Sequence, residues 1–180
     1  YIKAIEYYQQ SLRESEGMND KKGMAASLGN IGSIYLYLNQ YKKALDCYFK
    51  ALDLKKQLNE EEGFVNLFED IAEIHLLEHR EDSFLLYNYK ALALAKKHSL
   101  LSRQKNVYRN LAYFYSDKKN SDSVFTYLSL QNDLNDSIFN QDFKNSLADA
   151  ETKYQTKEKE LMIKTQEYNL SKKNYYIVAL

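Results

Sequence analysis

The chain has 180 residues, with 44% hydrophobic residues, 17 Tyr, one Cys, and neither Pro nor Trp, which is enough apolar content for the core of one medium domain. Its 25 Lys and Arg balance its 25 Asp and Glu, which argues against nucleic acid as the main partner, because binding to phosphates needs a cationic surplus. The single cysteine excludes an internal disulfide, and the absence of Pro, with all five Gly before residue 64, excludes a turn-dense β-sandwich or barrel.

One pattern recurs along the chain at a spacing of 40 residues. Its best copy runs from Leu28 to Ala51, and the stretches that begin at Tyr1 and Tyr41 are visibly related. A constant spacing without insertion indicates a repeated structural unit. The first copy has Leu28, Ile31, Gly32, Tyr35, Ala44, Tyr48 and Ala51, the second Phe68, Ile71, Ala72, His75, Phe84, Asn88 and Ala91, and the third Tyr108, Leu111, Ala112, Tyr115, Val124, Leu128 and Gln131.

The spacing inside each unit is helical. In the first full unit, apolar residues recur every three or four positions from Leu28 to Leu38 and again from Leu45 to Leu52. The polar pair Asn39-Gln40 separates the two stripes, which predicts an antiparallel helix pair. We therefore expect an all-α fold with a half unit 1–18 and units 19–58, 59–98 and 99–137. Further turns are predicted at Asn59-Glu60, His79-Arg80, Ser99, Asn120-Ser121 and Asn135-Asp136-Ser137.

The best copy resembles the tetratricopeptide repeat, whose signature is W-x2-L-G-x2-Y, then A-x3-F, then a later Ala and Pro. Leu28 takes the tryptophan position and Tyr48 the phenylalanine position. The resemblance covers residues 1–137 and implies a right-handed α-solenoid of antiparallel helix pairs that binds proteins or peptides. Two departures matter. Phe84 and Val124 replace a small residue, so we expect looser or splayed helix pairs there, and the signature proline is absent.

The two ends of the chain differ from the repeats. Tyr1 aligns with Tyr41, so the first helix is predicted to be the second half of a unit, and we expect more repeats upstream. From 138 to 174 no turn signal occurs, which predicts one long, Lys/Glu-rich helix that begins by capping the repeats. Its heptad pattern is partial, so both a solvated extension and a coiled coil joining two copies fit. The heptad positions are Tyr154, Leu161, Tyr168 and Tyr175, with polar Lys157, Lys164 and Ser171 between them.

The last residues, 175–180, resemble the start of a transmembrane helix, since two lysines and two tyrosines precede an apolar run. An ordinary helix end is the alternative. The order of parts is similar to that of bacterial membrane-tethered tetratricopeptide sensor regulators with a histidine kinase or helix-turn-helix output. That resemblance implies a membrane-anchored domain on the extracytoplasmic (periplasmic) face. A cytoplasmic peptide-sensing regulator and a self-associating scaffold remain alternatives.

The sequence contains one literal catalytic motif, the H-x-x-E-H run from His75 to His79, in which the two histidines would share a helix face and could hold zinc. His75, however, takes the place of a core tyrosine and should face the partner helix, while His79 falls at a helix end. Cys47 is expected to be a packed core residue. With no acid–base pair, phosphate cradle or nucleophile set, we predict a binding protein, without enzymatic activity, cofactor or metal.

Ligand binding is predicted on the first helix of each unit, because those helices line the inner surface of a curved stack. The Asn residues there suit the backbone of an extended peptide by resemblance to tetratricopeptide proteins, and the acidic residues favour a basic or polar ligand. The predicted groove residues are Asn30, Ser33, Asn66, Glu69, Asp70, Glu73, Asn106, Arg109, Asn110 and Tyr113.

Overall fold

The computed structural model describes the backbone of residues 1–178 and the side chains of residues 1–167. Within the described backbone the chain is helical and contains no strand, which confirms the predicted all-α solenoid. It divides into two compact units, Tyr1–Asn135 and Asp136–Leu180. The helices are α1 (Ile2–Gly17), α2 (Lys21–Tyr37), α3 (Tyr41–Gln57), α4 (Phe64–Leu77), α5 (Glu81–Lys97), α6 (Leu101–Asp117) and α7 (Ser121–Val178), with a 3₁₀ turn at Glu61–Gly63 before α4.

The turns between helices repeat every 20 residues. In each turn one non-glycine residue adopts the left-handed conformation, with φ between 53° and 57°. The amide that follows it bonds back to a carbonyl five residues earlier, as in Gln40 N to Tyr35 O at 2.8 Å, so the helix end remains hydrogen-bonded. Equal spacing of these turns gives helices of nearly equal length that alternate in direction. The left-handed residues are Asn19, Asn39, Asn59, His79, Ser99 and Lys119.

Large side chains from successive helices form the core of the compact unit Tyr1–Asn135. Tyr48, Ile71 and Phe84 are each at most 2% exposed, and Ala44 and Ala51 are completely buried beside them. Helices α2 and α3 pack against each other, as do α4 and α5, and each pair contacts the next through α3 with α4 and α5 with α6. Every pair therefore covers the apolar flank of its neighbour, which is the source of stability in stacked repeats.

The predicted splaying at Phe84 is wrong. Helices α4 and α5 pack as extensively as α2 and α3, although Phe84 occupies the position that Ala44 has in the first full repeat. The ring of Phe84 lies 4.9 Å from that of Phe114 on α6, measured between ring centroids. Its bulk therefore fills space between successive units and does not separate the two helices of its own pair.

The predicted turn at Asn135-Asp136-Ser137 is also wrong, because α7 is continuous from Ser121 to Val178. The 20-residue period would place the next left-handed residue at Phe139. A positive φ is costly for a bulky residue, and right-handed helix is the lower-energy choice there. The long helix expected over 138–174 is thus the continuation of the second helix of the last unit.

No helix in the described part of the chain is long and apolar enough to cross a membrane. The predicted start of a transmembrane segment at 175–180, like the heptad positions Tyr168 and Tyr175, lies outside the residues whose side chains the structure describes. On α1, the apolar side chains of Ile2 and Tyr7 are 75% and 69% exposed.

Candidate ligand-binding groove

Helices α2, α4 and α6 form one layer of the first unit. Contacts join α2 to α4 and α4 to α6, whereas α1 and α3, or α3 and α5, have no direct contact in the described chain. The layer of first helices is therefore the closer-packed, inner side of the stack, and their outward-pointing side chains line a shared surface. We call this surface the groove.

All ten predicted groove residues lie on these three helices. The two from α2 are exposed, whereas the residues from α4 and α6 alternate between exposed and half-buried positions. Exposed are Asn30, Ser33, Asn66, Glu73, Arg109 and Tyr113, and half-buried are Glu69, Asp70, Asn106 and Asn110.

Side-chain amides in the groove are free to meet a ligand. In the described part of the chain, no side-chain hydrogen bond involves the amides at these positions, although each can donate and accept. An extended peptide backbone offers the same pair of groups. The amides are those of Asn30, Asn66, Asn106 and Asn110.

Glu69 is a largely buried charged group of the groove, with a side chain that is 12% exposed. One of its oxygens, Oε2, lies 3.4 Å from Nη1 of Arg103, and the other, Oε1, is buried without any partner. Burial raises the pKa of Glu69 to about 7, even though the charge of Arg103 acts in the opposite direction. The carboxyl group thus retains unused capacity to accept a hydrogen bond.

Asp70 is the second carboxyl group held away from water. Burial, followed by the negative charge of Glu73, raises its pKa to about 6. Next to it, the buried phenol of Tyr48 donates to Ser33 Oγ at 3.2 Å, and Ser33 Oγ donates to the carbonyl oxygen of Gly29 at 3.1 Å. Burial also raises the pKa of Tyr48, so this hydroxyl remains protonated. The groove floor is therefore polar between α2 and α4.

A cavity of about 330 Å³ opens between α4 and α6. Leu76 and Phe84 give it an apolar floor. Glu73 and Arg109 lie on its walls, and neither forms an ion pair within 4 Å in the described chain. Because opposite charges stand free above an apolar floor, the cavity suits a side chain with an apolar stem and a polar or charged end. Asn110 and Tyr113 complete the lining.

Two residues that contribute to the groove were not predicted as groove residues from the sequence. The partner of Glu69, Arg103, lies in the first turn of α6, and no local feature of the sequence relates it to α4. Tyr48 was assigned to the core, which is correct since it is completely buried. A buried phenol, however, needs a hydrogen-bond partner, and that signal could have indicated its contact with the groove.

The H-x-x-E-H motif does not form a metal site. Helix α4 ends at Leu77, and His79 adopts a φ of 57° in the following turn, so the two histidines do not share a helix face as the spacing suggested. The predicted orientation of His75 is confirmed, because its ring stacks on Tyr87 of α5 at 5.4 Å. Within the described residues no group of His, Cys, Asp and Glu could hold a metal. Cys47 is buried, and burial raises its thiol pKa.

Comparison with known proteins agrees with this architecture. Residues 1–57 match the family model described as tetratricopeptide repeat, which supports tetratricopeptide repeats in this chain. Such repeats generally serve as non-catalytic protein-interaction scaffolds. No curated protein matches the chain.

A similar solved structure is the crystal structure of BtubC (BKLC) from P. vanneervenii. It superimposes with a TM-score of 0.65 at 17% identity, over 72% of this chain and 54% of that chain. The present chain thus spans about half the length of that protein. At this level of identity the likeness shows the fold alone.

Proposed function

We propose that the groove of α2, α4 and α6 binds an extended segment of a protein partner that carries a basic side chain. The observation that carries this proposal is the group of three carboxyl groups on α4, of which Glu69 and Asp70 are held away from water. A bound cation would relieve the repulsion between Asp70 and Glu73.

The remaining groove residues fit the same ligand. The free amides of Asn66 and Asn106 can hold the peptide backbone in an extended conformation. The cavity beside Glu73 can hold the aliphatic stem of a lysine or arginine against Leu76 and Phe84. Charged hydrogen bonds in such a partly dehydrated site are stronger than those on an open surface.

Selection from a displayed random peptide library tests this function with the full chain as bait. We expect the selected peptides to be enriched in Lys and Arg. A triple variant with Glu69→Gln, Asp70→Asn and Glu73→Gln should lose about tenfold or more in affinity for them, since each charged hydrogen bond contributes about 1.5–3 kcal/mol.

A matched variant removes three exposed carboxylates elsewhere, through Glu6→Gln, Asp82→Asn and Asp117→Asn. It has the same net charge as the groove variant and should bind the selected peptides like the unmodified protein. Enrichment of acidic peptides, or equal losses in the two triple variants, would contradict the proposal.

We also propose that this domain is the sensory or scaffolding region of a membrane-bound bacterial signalling or transcription-regulatory protein, on its extracytoplasmic side. The support is the sequence of Lys172, Lys173, Tyr175 and Tyr176 before an apolar run. Membrane fractionation of the intact protein, with protease added to spheroplasts, tests the placement. We expect cleavage of this domain from outside. Protection from the protease would favour the cytoplasmic alternative.

Self-association through α7 is a second candidate property. A stripe of large apolar side chains, 52–71% exposed, follows one side of the helix at spacings of four and seven residues. Pairing two copies would cover on the order of 600 Å² on each, close to the roughly 1,200 Å² total of a small stable interface. The stripe consists of Phe139, Phe143, Leu147, Tyr154 and Leu161.

Sedimentation equilibrium of the full chain tests this pairing. Phe143→Glu introduces a charge into the stripe and should convert a dimer into monomer. Asn145→Glu adds the same charge on the opposite side of the helix and should leave the dimer intact. A monomeric unmodified chain would end this candidate and leave α7 as a solvated extension.

A further inference from the structure

The same position of successive units carries a tyrosine in three cases and a cysteine in one. These are the residues 40 apart at 7, 47, 87 and 127, namely Tyr7, Cys47, Tyr87 and Tyr127. They lie on the second helices, which form the outer layer opposite the groove. In the outer layer, the backbones of α1 and α3, and those of α3 and α5, are not in contact, so a trough runs between each pair with a first helix as its floor. Between α5 and α7 the hydroxyl groups of Tyr89 and Tyr127 are hydrogen-bonded across the trough at 3.0 Å.

In the two later units the tyrosine ring fills this trough. The Tyr87 ring lies 5.7 Å from the ring of Phe68 and stacks on that of His75 at 5.4 Å. The Tyr127 ring repeats the arrangement, at 6.1 Å from Tyr108 and 5.6 Å from Tyr115. The fold therefore uses one aromatic ring, held between two side chains of the floor helix, to close each trough.

The trough of the first full unit lacks that ring. The equivalent floor residues are Leu28 and Tyr35, and the ring position belongs to Cys47. A cavity of about 480 Å³ is present there, lined by side chains of α1, α2 and α3 that include these three residues and Ile31. It adjoins a second cavity of about 610 Å³ that shares Leu12 and Leu28.

The mouth of this trough is positively charged. Lys42 and Lys43 line it and are exposed, and Lys43 Nζ lies 5.3 Å from the centre of the Tyr35 ring. The acidic residue at the rim, Asp46, is already paired with Lys50 at 2.8 Å. Two lysines without a carboxylate partner in the described chain favour a ligand with negative charges beside its apolar group.

We propose that the trough between α1 and α3 is a second binding site, which takes a tyrosine or phenylalanine side chain from an acidic segment of a protein partner. The incoming ring occupies the position that Tyr87 and Tyr127 occupy in the other units, between Leu28 and Tyr35. Acidic residues on either side of it contact Lys42 and Lys43. The site lies on the opposite layer from the groove, so both can be filled at once.

The probe is an acetylated and amidated heptapeptide, Gly-Glu-Glu-Tyr-Glu-Glu-Gly, titrated into the ¹⁵N-labelled full chain. We expect shifts of the amide signals of Leu28, Ile31 and Tyr35. The same peptide with Ser in place of Tyr should bind at least about tenfold more weakly, because it lacks the ring that would be buried. Equal binding of the two peptides would overturn the proposal, as would shifts confined to α4 and α6.

A variant whose own side chain fills the trough should no longer bind the tyrosine peptide. Cys47→Tyr supplies the ring from the chain itself, and we expect at least a tenfold loss of affinity for the tyrosine peptide. Cys47→Ala keeps the trough open and should bind like the unmodified protein. The groove variant with Glu69→Gln, Asp70→Asn and Glu73→Gln should also bind the peptide normally, which separates this site from the proposed function. Undiminished binding by Cys47→Tyr would overturn the site.

A measurement on the unmodified chain does not depend on how the variants fold. Cys47 lines the cavity but is only 8% exposed, and burial raises the pKa of its thiol, so it should react slowly with iodoacetamide. Saturating tyrosine peptide should slow this reaction further, at least about tenfold, since the ring would cover the thiol. The serine peptide at the same concentration should leave the rate unchanged. Equal rates with both peptides would place the ring elsewhere and reject the site.

Discussion

The ring of Tyr48 lies directly against the backbone of Gly32. A Cβ atom built on Gly32 would fall 2.6 Å from Cε1 and 2.8 Å from Cδ1 of that ring, closer than atoms can approach. Tyr48 is completely buried and hydrogen-bonded to Ser33, so it cannot move aside easily. The contact joins α2 to α3 and places the Tyr48 hydroxyl at the groove floor.

Replacing this glycine tests the contact. Gly32→Ala should lower the free energy of unfolding by about 1–3 kcal/mol, because overpacking exceeds the gain in helix propensity. Gly29→Ala is the matched control in the same helix. Its Cβ would meet only Leu67 Cδ2 at 3.9 Å, an ordinary contact, so it should raise stability by about 0.5–1 kcal/mol. Urea denaturation measures both. Stabilisation by both substitutions would show that Tyr48 can shift.

Several left-handed turn positions carry residues that do not favour them. Ser99 has a φ of 54°, its side chain makes no hydrogen bond, and it is exposed. Ser99→Gly should therefore raise the free energy of unfolding by about 1 kcal/mol, since glycine adopts this conformation without strain. Ala93→Gly, at an exposed position inside α5, should cost about 1 kcal/mol. If thermal denaturation showed that Ser99→Gly and Ala93→Gly change stability in the same direction, the conformational explanation would be contradicted.

Asn88 is completely buried in α5 and only half satisfied. Its Nδ2 donates to the carbonyl oxygen of Phe84 at 2.9 Å, whereas Oδ1 has no partner. Leucine has the same branching and the same number of side-chain heavy atoms, so Asn88→Leu should raise the free energy of unfolding by about 1 kcal/mol in urea denaturation.

Asn88→Ala provides the comparison at the same site. It also removes the unsatisfied oxygen but leaves a cavity, and should therefore be less stable than the leucine variant by about 2 kcal/mol or more. A leucine variant less stable than the unmodified protein would indicate that Oδ1 is hydrogen-bonded in solution.

The buried carboxyl groups make stability depend on pH. The folded-state pKa values of about 7 for Glu69 and about 6 for Asp70 lie above their ordinary values of 4.5 and 3.8. Folding therefore favours the protonated forms. Their contribution to stability is complete below about pH 4 and is lost as the pH rises through 6 and 7. The double variant Glu69→Gln with Asp70→Asn should accordingly gain stability relative to the unmodified protein between pH 5 and 8.

This pH dependence is measured by urea denaturation, as the difference in free energy of unfolding between the double variant and the unmodified protein at each pH. His75, whose pKa is lowered by burial, contributes equally to both and cancels. Glu61→Gln is the control, because Lys97 and His98 lower the pKa of Glu61. The contribution of Glu61 to stability therefore changes with pH only below about pH 4.5, outside the range of this experiment. A constant difference between pH 5 and 8 would mean that Glu69 and Asp70 titrate normally.

Much of the fold could be predicted from the sequence, because its signals are local. The 40-residue period and the apolar stripes located the helix pairs, and polar residues marked the turns at Asn39, Asn59 and Ser99. The same reasoning failed at Asn135, where polar residues occur without a turn. A turn residue is effective only where the helix has a reason to end, and the 20-residue period places that point at Phe139 instead.

The groove was predicted only as a set of positions. Repeat equivalence placed Glu69, Asp70 and Glu73 on one helix, since residues one to four apart are related by helix geometry alone. It could not show that Glu69 is buried beside Arg103, because that contact depends on how α4 and α6 pack.

The sequence alone therefore determined most of the helical segments and the turns from Asn39 to Asn120, since short-range backbone geometry controls these features. Tertiary structure decided which faces are filled. Cys47 and Tyr87 occupy equivalent positions in equivalent helices, yet one trough is open and the other closed. The difference arises because a cavity depends on the combined volume of side chains from distant segments of the chain. A local sequence pattern does not show that combined volume.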